Sequence, residues 1–189
     1  MNNKLLAIFA MGLLLGPMVA KAVPIELVTN GGFETGDLTG WTCTNADSCV
    51  VGGVAHSGTF AVDGFDNTGF ATLSQTIATI AGANYNFSFY SETEAQVIYS
   101  GNILHYQVGS EPTVLVPTTT SWAMTSTSFT ATGPTTALQF YFETDPGTLT
   151  WRIDDVSVTS TVPEPASLLL MGLGLAGMGF ARHKRKQVA

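Results

Sequence analysis

The chain has 189 residues, a formal charge of −7, and only 11% charged side chains. Its basic residues lie almost entirely at the two ends, so between Val23 and Thr161 Arg152 alone faces thirteen acids, a formal −12. Without a basic face this region cannot neutralise phosphates, which excludes a nucleic-acid partner; anionic lipid or acidic polysaccharide is repelled unless a divalent cation bridges the charges.

At the amino end, Lys4 precedes the apolar run "LLAIFAMGLLLGPMVA", and "AKA" at Ala20–Ala22 follows with small residues on either side of Lys21. A positive start, an apolar core and a small-x-small site predict a signal peptide, residues 1–22, removed by signal peptidase after Ala22. With the terminal stretch also set aside, roughly 140 residues remain, enough for one domain with a buried core. That domain is expected over residues 23–161.

The domain opens with "LVTNGGFETGDLTGWT", Leu27 to Thr42: a strand, a Gly-Gly turn, the acid Glu34 and then Trp41. "WTCTNADSC" follows. In the oxidising compartment that a signal peptide implies, Cys43 and Cys49 are expected to form a disulfide closing a short loop. The spacing is longer than the C-x-x-C of redox-active pairs.

Short β-strands come next. "NYNFSFY" alternates, with Tyr85, Phe87 and Phe89 on one face and Asn84, Asn86, Ser88 and Tyr90 on the other. "ALQFYFE" repeats the pattern, with Leu138, Phe140 and Phe142 inward and Gln139, Tyr141 and Glu143 outward. "TFAVDGF", "ATLSQTI", "AQVIYS", "ILHYQV", "TSTSFTAT" and "TWRIDDVSV" are further strands. Gly101-Asn102, Gly133-Pro134 and Asp145-Pro146-Gly147 mark turns between them. The fold class is all-β, an antiparallel β-sandwich of jelly-roll type. Trp41, Trp122 and Trp151 are expected in its core.

Terminal strands often lie side by side in such sandwiches. Glu34 would then approach Asp154 or Asp155, with the carbonyls of Asn30–Gly32 nearby. Hard oxygen donors of this kind suit a structural Ca2+. Strand alternation would turn the two aspartates to opposite faces, so the sequence leaves open which one is a ligand. For a sugar, Tyr90, Tyr99, Tyr106 and Tyr141 are candidate aromatic contacts, with Gln96 and Gln107 as hydrogen-bonding partners.

No enzymatic pattern stands out. His56, His105 and His183 are the three histidines, and no H-E-x-x-H or nucleophile elbow accompanies them. "HSG" at His56–Gly58 reads as a turn. A glycosidase needs two carboxylates across a cleft, and no pair is singled out. The expectation is a non-enzyme.

The end of the chain, "VPEPASLLLMGLGLAGMGFARHKRK", carries a further signal. Residues 166–181 hold no charge and would form a transmembrane helix of about 24 Å, slightly short of a ~30 Å hydrocarbon layer. Arg182, Lys184, Arg185 and Lys186 follow, which places that end in the cytoplasm. Pro163 and Pro165 keep the segment around Glu164 extended and accessible outside the membrane. "GLGLAG" within the span satisfies G-x-G-x-x-G but lacks the preceding strand that a dinucleotide site requires.

Residues 162–189, with Val162-Pro163-Glu164-Pro165, the Gly-rich apolar run and the basic end, resemble the PEP-CTERM sorting signal of Gram-negative bacteria. The resemblance implies recognition by an exosortase, a membrane transpeptidase-like enzyme that cuts near the tripeptide. The protein would be an inner-membrane-anchored precursor and then be delivered to the cell surface or beyond. Across residues 25–159, "NGGFE", "SGTFAV", "LSQTI", "GANYNFSFY" and "DDVSV" come in the order that resembles carbohydrate-binding-module, galactose-binding-like jelly rolls. That resemblance implies the fold, a calcium held by Glu34 and one of Asp154 and Asp155, and polysaccharide as a partner. Three roles remain: a polysaccharide-binding module, a structural protein of the biofilm or exopolysaccharide matrix without a soluble ligand, and a secreted carbohydrate-active hydrolase.

Overall fold

The computed structural model describes residues 24–45, 48–65, 71–94, 103–143 and 150–160. The expected signal peptide, the sorting motif with its apolar helix, Gln96, Tyr99 and the strand "AQVIYS" lie outside these residues.

Two antiparallel sheets face each other. One contains β3 (Cys49–Gly52), β4 (Ala61–Gly64), β11 (Trp151–Ser160), β6 (Asn84–Thr93) and β9 (Ala123–Thr130) in that order, with β1 (Ile25–Glu26) also paired to β11. The other runs β2 (Thr42–Cys43), β5 (Ala71–Ala78), β10 (Thr135–Glu143), β7 (Ile103–Val108) and β8 (Val114–Leu115). Neighbours in space are mostly non-consecutive in sequence, the mark of a jelly roll rather than a simple meander.

Alternation decides which side chains enter the gap. Along β6, Tyr85, Phe87 and Phe89 are buried, and along β10, Leu138, Phe140 and Phe142 are buried. Phe87 and Phe89 meet Phe140 at ring-centroid separations of 6.2 and 5.0 Å, so the two strands interdigitate across the sandwich. Burying each such side chain stabilises by about 1.5–3 kcal/mol before entropy is counted. Trp41 and Trp151 join the core, as expected. Trp122 does not: it precedes the exposed start of β9 and is only half-buried, so no inward strand position is available to it.

Cys43 and Cys49 are bonded, which ties β2 of the five-stranded sheet to β3 of the six-stranded sheet. The bridge therefore links the two layers. It also joins two strands too short to hold position by ladder bonds alone.

Candidate functional site

The first and last parts of the domain meet at one irregularity. Pairing of β11 with β6 shifts register between Asp154 and Ser157. Asp155 adopts a left-handed backbone (φ 49°) there, so the strand carries a bulge. A regular strand would send consecutive side chains to opposite faces. The bulge instead turns both aspartates toward the segment at His56–Ser57, correcting the expectation that they diverge.

The fully buried Asp154 accepts backbone N–H bonds through Oδ2 from His56 (2.8 Å) and Ser57 (3.1 Å), and through Oδ1 from Asp155 (2.7 Å). Asp155 Oδ1 accepts from the Ser57 hydroxyl at 2.8 Å, and its Oδ2 lies 2.7 Å from His56 Nδ1. Ligand atoms of His56, Asp154 and Asp155 all lie within 4.8 Å of one another. The sequence around His56 signals a turn and carries no local signature of its contacts with both aspartates.

Glu34 borders this group without entering it. Its Oε1 accepts from the backbone N–H groups of Thr59 and Phe60 at 2.8 and 2.9 Å. Gly31 passes so close to β11 that any side chain would strike the Val156 carbonyl, and the Val156 N–H donates to Gly31 O at 2.9 Å. Next to it, the open side of Gly32 is bounded by three acids. A methyl group placed there would lie 3.4 Å from Asp155 Oδ1, 3.8 Å from Asp154 Oδ1 and 3.8 Å from Glu34 Cγ. Oxygens of the two aspartates thus border this space, hard donors of the kind Ca2+ takes, whereas Glu34 presents its methylene there and turns its carboxylate to the Thr59 and Phe60 N–H groups.

Nearby positive charge is committed elsewhere. Arg152, with its side chain 10% exposed, reaches Asp63 through Nε (3.2 Å), Glu92 through Nη1 (3.1 Å) and Glu94 through Nη2 (2.8 Å). One guanidinium thus serves three acids. Burial pushes the Asp154 carboxyl above its usual range, and the Asp155 charge adds to this against the backbone bonds that hold it down. Burial also pushes Asp63 up, while Arg152 pulls it back.

The candidate aromatic contacts occupy different places. Tyr90 is half-buried, and one face is covered by the His56 ring, stacked at 3.5 Å and 13°; Trp122 meets the same imidazole edge-on at 5.8 Å. Tyr106, expected on an outward face, is 6% exposed and packs against Phe87 and Phe89, because it alternates in register with the buried Leu104 and Val108. Tyr99 lies outside the described residues. Tyr141 remains on the outer face of the five-stranded sheet, where its hydroxyl donates to Gln107 Oε1 at 2.9 Å. Gln107 pairs across the ladder with Gln139, and Tyr141 with His105. Thr72 lies opposite Tyr141 and Ser74 opposite Gln139 on the other neighbour, β5. The result is a continuous half-buried field of hydroxyl, amide, imidazole and phenol groups across three strands.

Comparison with known proteins agrees with this architecture. The family model described as "Carbohydrate binding domain" matches residues 26–149, and the "PEP-CTERM protein-sorting motif" matches residues 161–186. Among solved structures, TmCBM61, determined in complex with β-1,4-galactotriose, superposes with a TM-score of 0.57 at 24% identity, covering 71% of this chain and 97% of that one. The CBM22-1 xylan-binding domain of Paenibacillus barcinonensis Xyn10C gives 0.54 at 14% identity, covering 76% and 97%. The enzymatically active domain of bacteriophage CBA120 tailspike protein 4 gives 0.56 at 13%, with 71% of this chain matching only 21% of that one. No curated protein sequence matches the chain. With more than half its length matched by the family model, and with the two-sheet jelly roll to carry it, the chain belongs to the carbohydrate-binding domain family and bears a PEP-CTERM sorting motif.

Proposed function

We propose that the domain binds polysaccharide at the cell surface or in the extracellular matrix without catalysing a reaction, on the outer face of the five-stranded sheet. The observation that carries this reading is the Tyr141–Gln107 hydrogen bond within the field that also holds Gln139 and His105. A sugar chain offers hydroxyls on its edges and C–H groups on its faces. A phenol ring with neighbouring amides meets both, and cross-strand pairing fixes their positions. The −12 charge of the domain favours neutral over acidic polysaccharide.

Calcium is assigned a structural part in the same reading. Asp154, Asp155 and Glu34 would hold it beside Gly32, and bound there it would neutralise acids that no arginine or lysine among the described residues pairs with. His56 keeps Asp155 in place from the far side.

Delivery follows from the tail. The sorting motif marks an exported precursor, and an exosortase is the partner expected to cut near Pro163–Pro165. Signal peptidase would act earlier at the amino end, and the inner membrane would hold the precursor only until the second cut.

The test is retention of the protein in native gels cast with neutral polysaccharides such as xylan, galactan or β-glucan. Retardation that falls about tenfold in apparent affinity with Tyr141→Ala supports the reading. Unretarded migration in every neutral polysaccharide counts against it.

A further inference from the structure

A second concavity lies away from both the carboxylate group and the outer face of the five-stranded sheet. It is a cavity of about 210 Å3 lined by Tyr106, Val108, Glu111, Pro112, Val114 and Phe129, with Thr127 and Ser128 completing its wall. It sits at the lateral edge, where inner-facing residues of β7 and β9 meet. It is open there because β8 has two residues and pairs with His105 and Tyr106, leaving the end of β7 paired with β10 on one side and without a strand on the other. The turn beyond β7 is held in place by Gln107 Nε2, which donates to Glu111 O at 2.9 Å, and by the Glu111 N–H, which donates to Val108 O at 3.1 Å.

Tyr106 is the informative residue. Its ring is fixed by Phe87 and Phe89, with centroids 5.6 and 5.4 Å away. Its hydroxyl meets no hydrogen-bond partner among the described residues. The hydroxyl is not among the sealed polar atoms of the described core, so in the cavity wall it is open to whatever enters the cavity. Burial raises the phenol above its ordinary pKa, so it stays a neutral O–H donor at any ordinary pH. The exposed Glu111 also lines the cavity and brings an acceptor to its rim.

The volume decides the size of the guest. Sites for drug-sized ligands run to about 300–1,000 Å3, so this cavity takes one substituted sugar unit or a side group, not a chain. We propose that it receives the acetamido group of an N-acetylated sugar. The methyl group packs against Val108 and Phe129, the carbonyl oxygen accepts from the Tyr106 hydroxyl, and the amide N–H donates to the Glu111 carboxylate. This rests on the polysaccharide reading above for the class of partner, but it uses a separate surface and adds a chemical preference.

The test uses the full-length chain in detergent, titrated with N-acetylglucosamine and, in parallel, with glucose, and followed by amide 1H–15N spectra. Saturable shifts at Val108, Phe129 and their neighbours are expected with N-acetylglucosamine and not with glucose. Tyr106→Phe, which keeps the ring and removes the hydroxyl, should weaken binding at least fivefold. Val114→Phe, at an exposed rim position, should block it independently of any effect at Tyr106. Tyr141→Ala should leave it unchanged. No saturable shift at the cavity, an equal response to glucose, or full affinity in both Tyr106→Phe and Val114→Phe would overturn the proposal. Loss of binding in Tyr141→Ala with Tyr106→Phe unaffected would also overturn it, while leaving the outer-face reading intact.

Discussion

His56 Nδ1 lies 2.7 Å from Asp155 Oδ2, although the two residues are 99 positions apart in the chain. This contact, with the backbone bonds from His56 and Ser57 to Asp154, joins the segment before β4 to the bulge of β11. The bulge is therefore built around carboxylates that need a counter-charge. Millimolar Ca2+ should raise the thermal midpoint. If it is present at 100 times its Kd, linkage gives about 2.7 kcal/mol, or about 5–10 °C for a domain of this size. Asp155→Asn and Glu34→Gln should lose most of that shift, and chelator should return the wild type to the variants' level. A midpoint that is the same with calcium and with chelator would remove the metal from the account.

Arg152 should be far harder to replace than any acid around it. Arg152→Met leaves Asp63, Glu92 and Glu94 crowded together without their cation, and breaking such a buried set costs about 3–5 kcal/mol. Chemical denaturation at neutral pH measures this directly. A loss below about 1 kcal/mol would mean the cluster is solvated and its geometry unimportant.

Asp63 carries the opposite expectation with pH. Its folded carboxyl is raised by burial despite Arg152, so its contribution is fully present below the unfolded value near 3.8 and is lost as pH rises through the folded value. The wild type should therefore lose stability from this group as pH rises above about 4 and through the folded value. Asp63→Asn should flatten that decline and be within about 1 kcal/mol of the wild type at pH 7. A variant whose stability curve against pH runs parallel to that of the wild type would contradict the assignment.

The Cys43–Cys49 bond closes a small loop but links two sheets. Replacing both cysteines with serine should cost about 2–3 kcal/mol, measured as a lower denaturant midpoint with an unchanged slope. Equal midpoints with and without reductant would show that β2 and β3 hold without it.

For the tail, alanines at Pro163, Glu164 and Pro165 should leave the protein at its precursor mass after export. The same mature carboxyl end in wild type and variant would exclude cutting directed by this tripeptide.

Strand alternation was enough to place the aromatic core, because Phe87, Phe89, Phe140 and Phe142 each stand between polar neighbours in sequence. The same rule contained the answer for Tyr106, flanked at two-residue spacing by Leu104 and Val108; treating tyrosine as an outward residue overrode it. Trp122 is bulky yet half-buried, since it precedes the exposed start of β9, so size alone does not indicate burial. The bulge at Asp155 could not be read, since a left-handed aspartate inside a strand has no glycine to announce it. The pairing of His56 with Asp155 depends on that bulge and was hidden with it. Of the five strands of two to four residues only β4 shows in the sequence, as "TFAVDGF"; β1, β2, β3 and β8 do not, because a pattern of period two needs more positions to show.

Sugar binding on the outer face of the five-stranded sheet is tested most directly by titrating full-length protein in detergent with neutral oligosaccharides in a calorimeter, alongside Tyr141→Ala and Gln107→Ala. The account predicts saturable heat with at least one neutral oligosaccharide, and a loss of about tenfold or more in affinity in both variants. Wild-type affinity retained in both variants, or no heat with any neutral sugar, would contradict it.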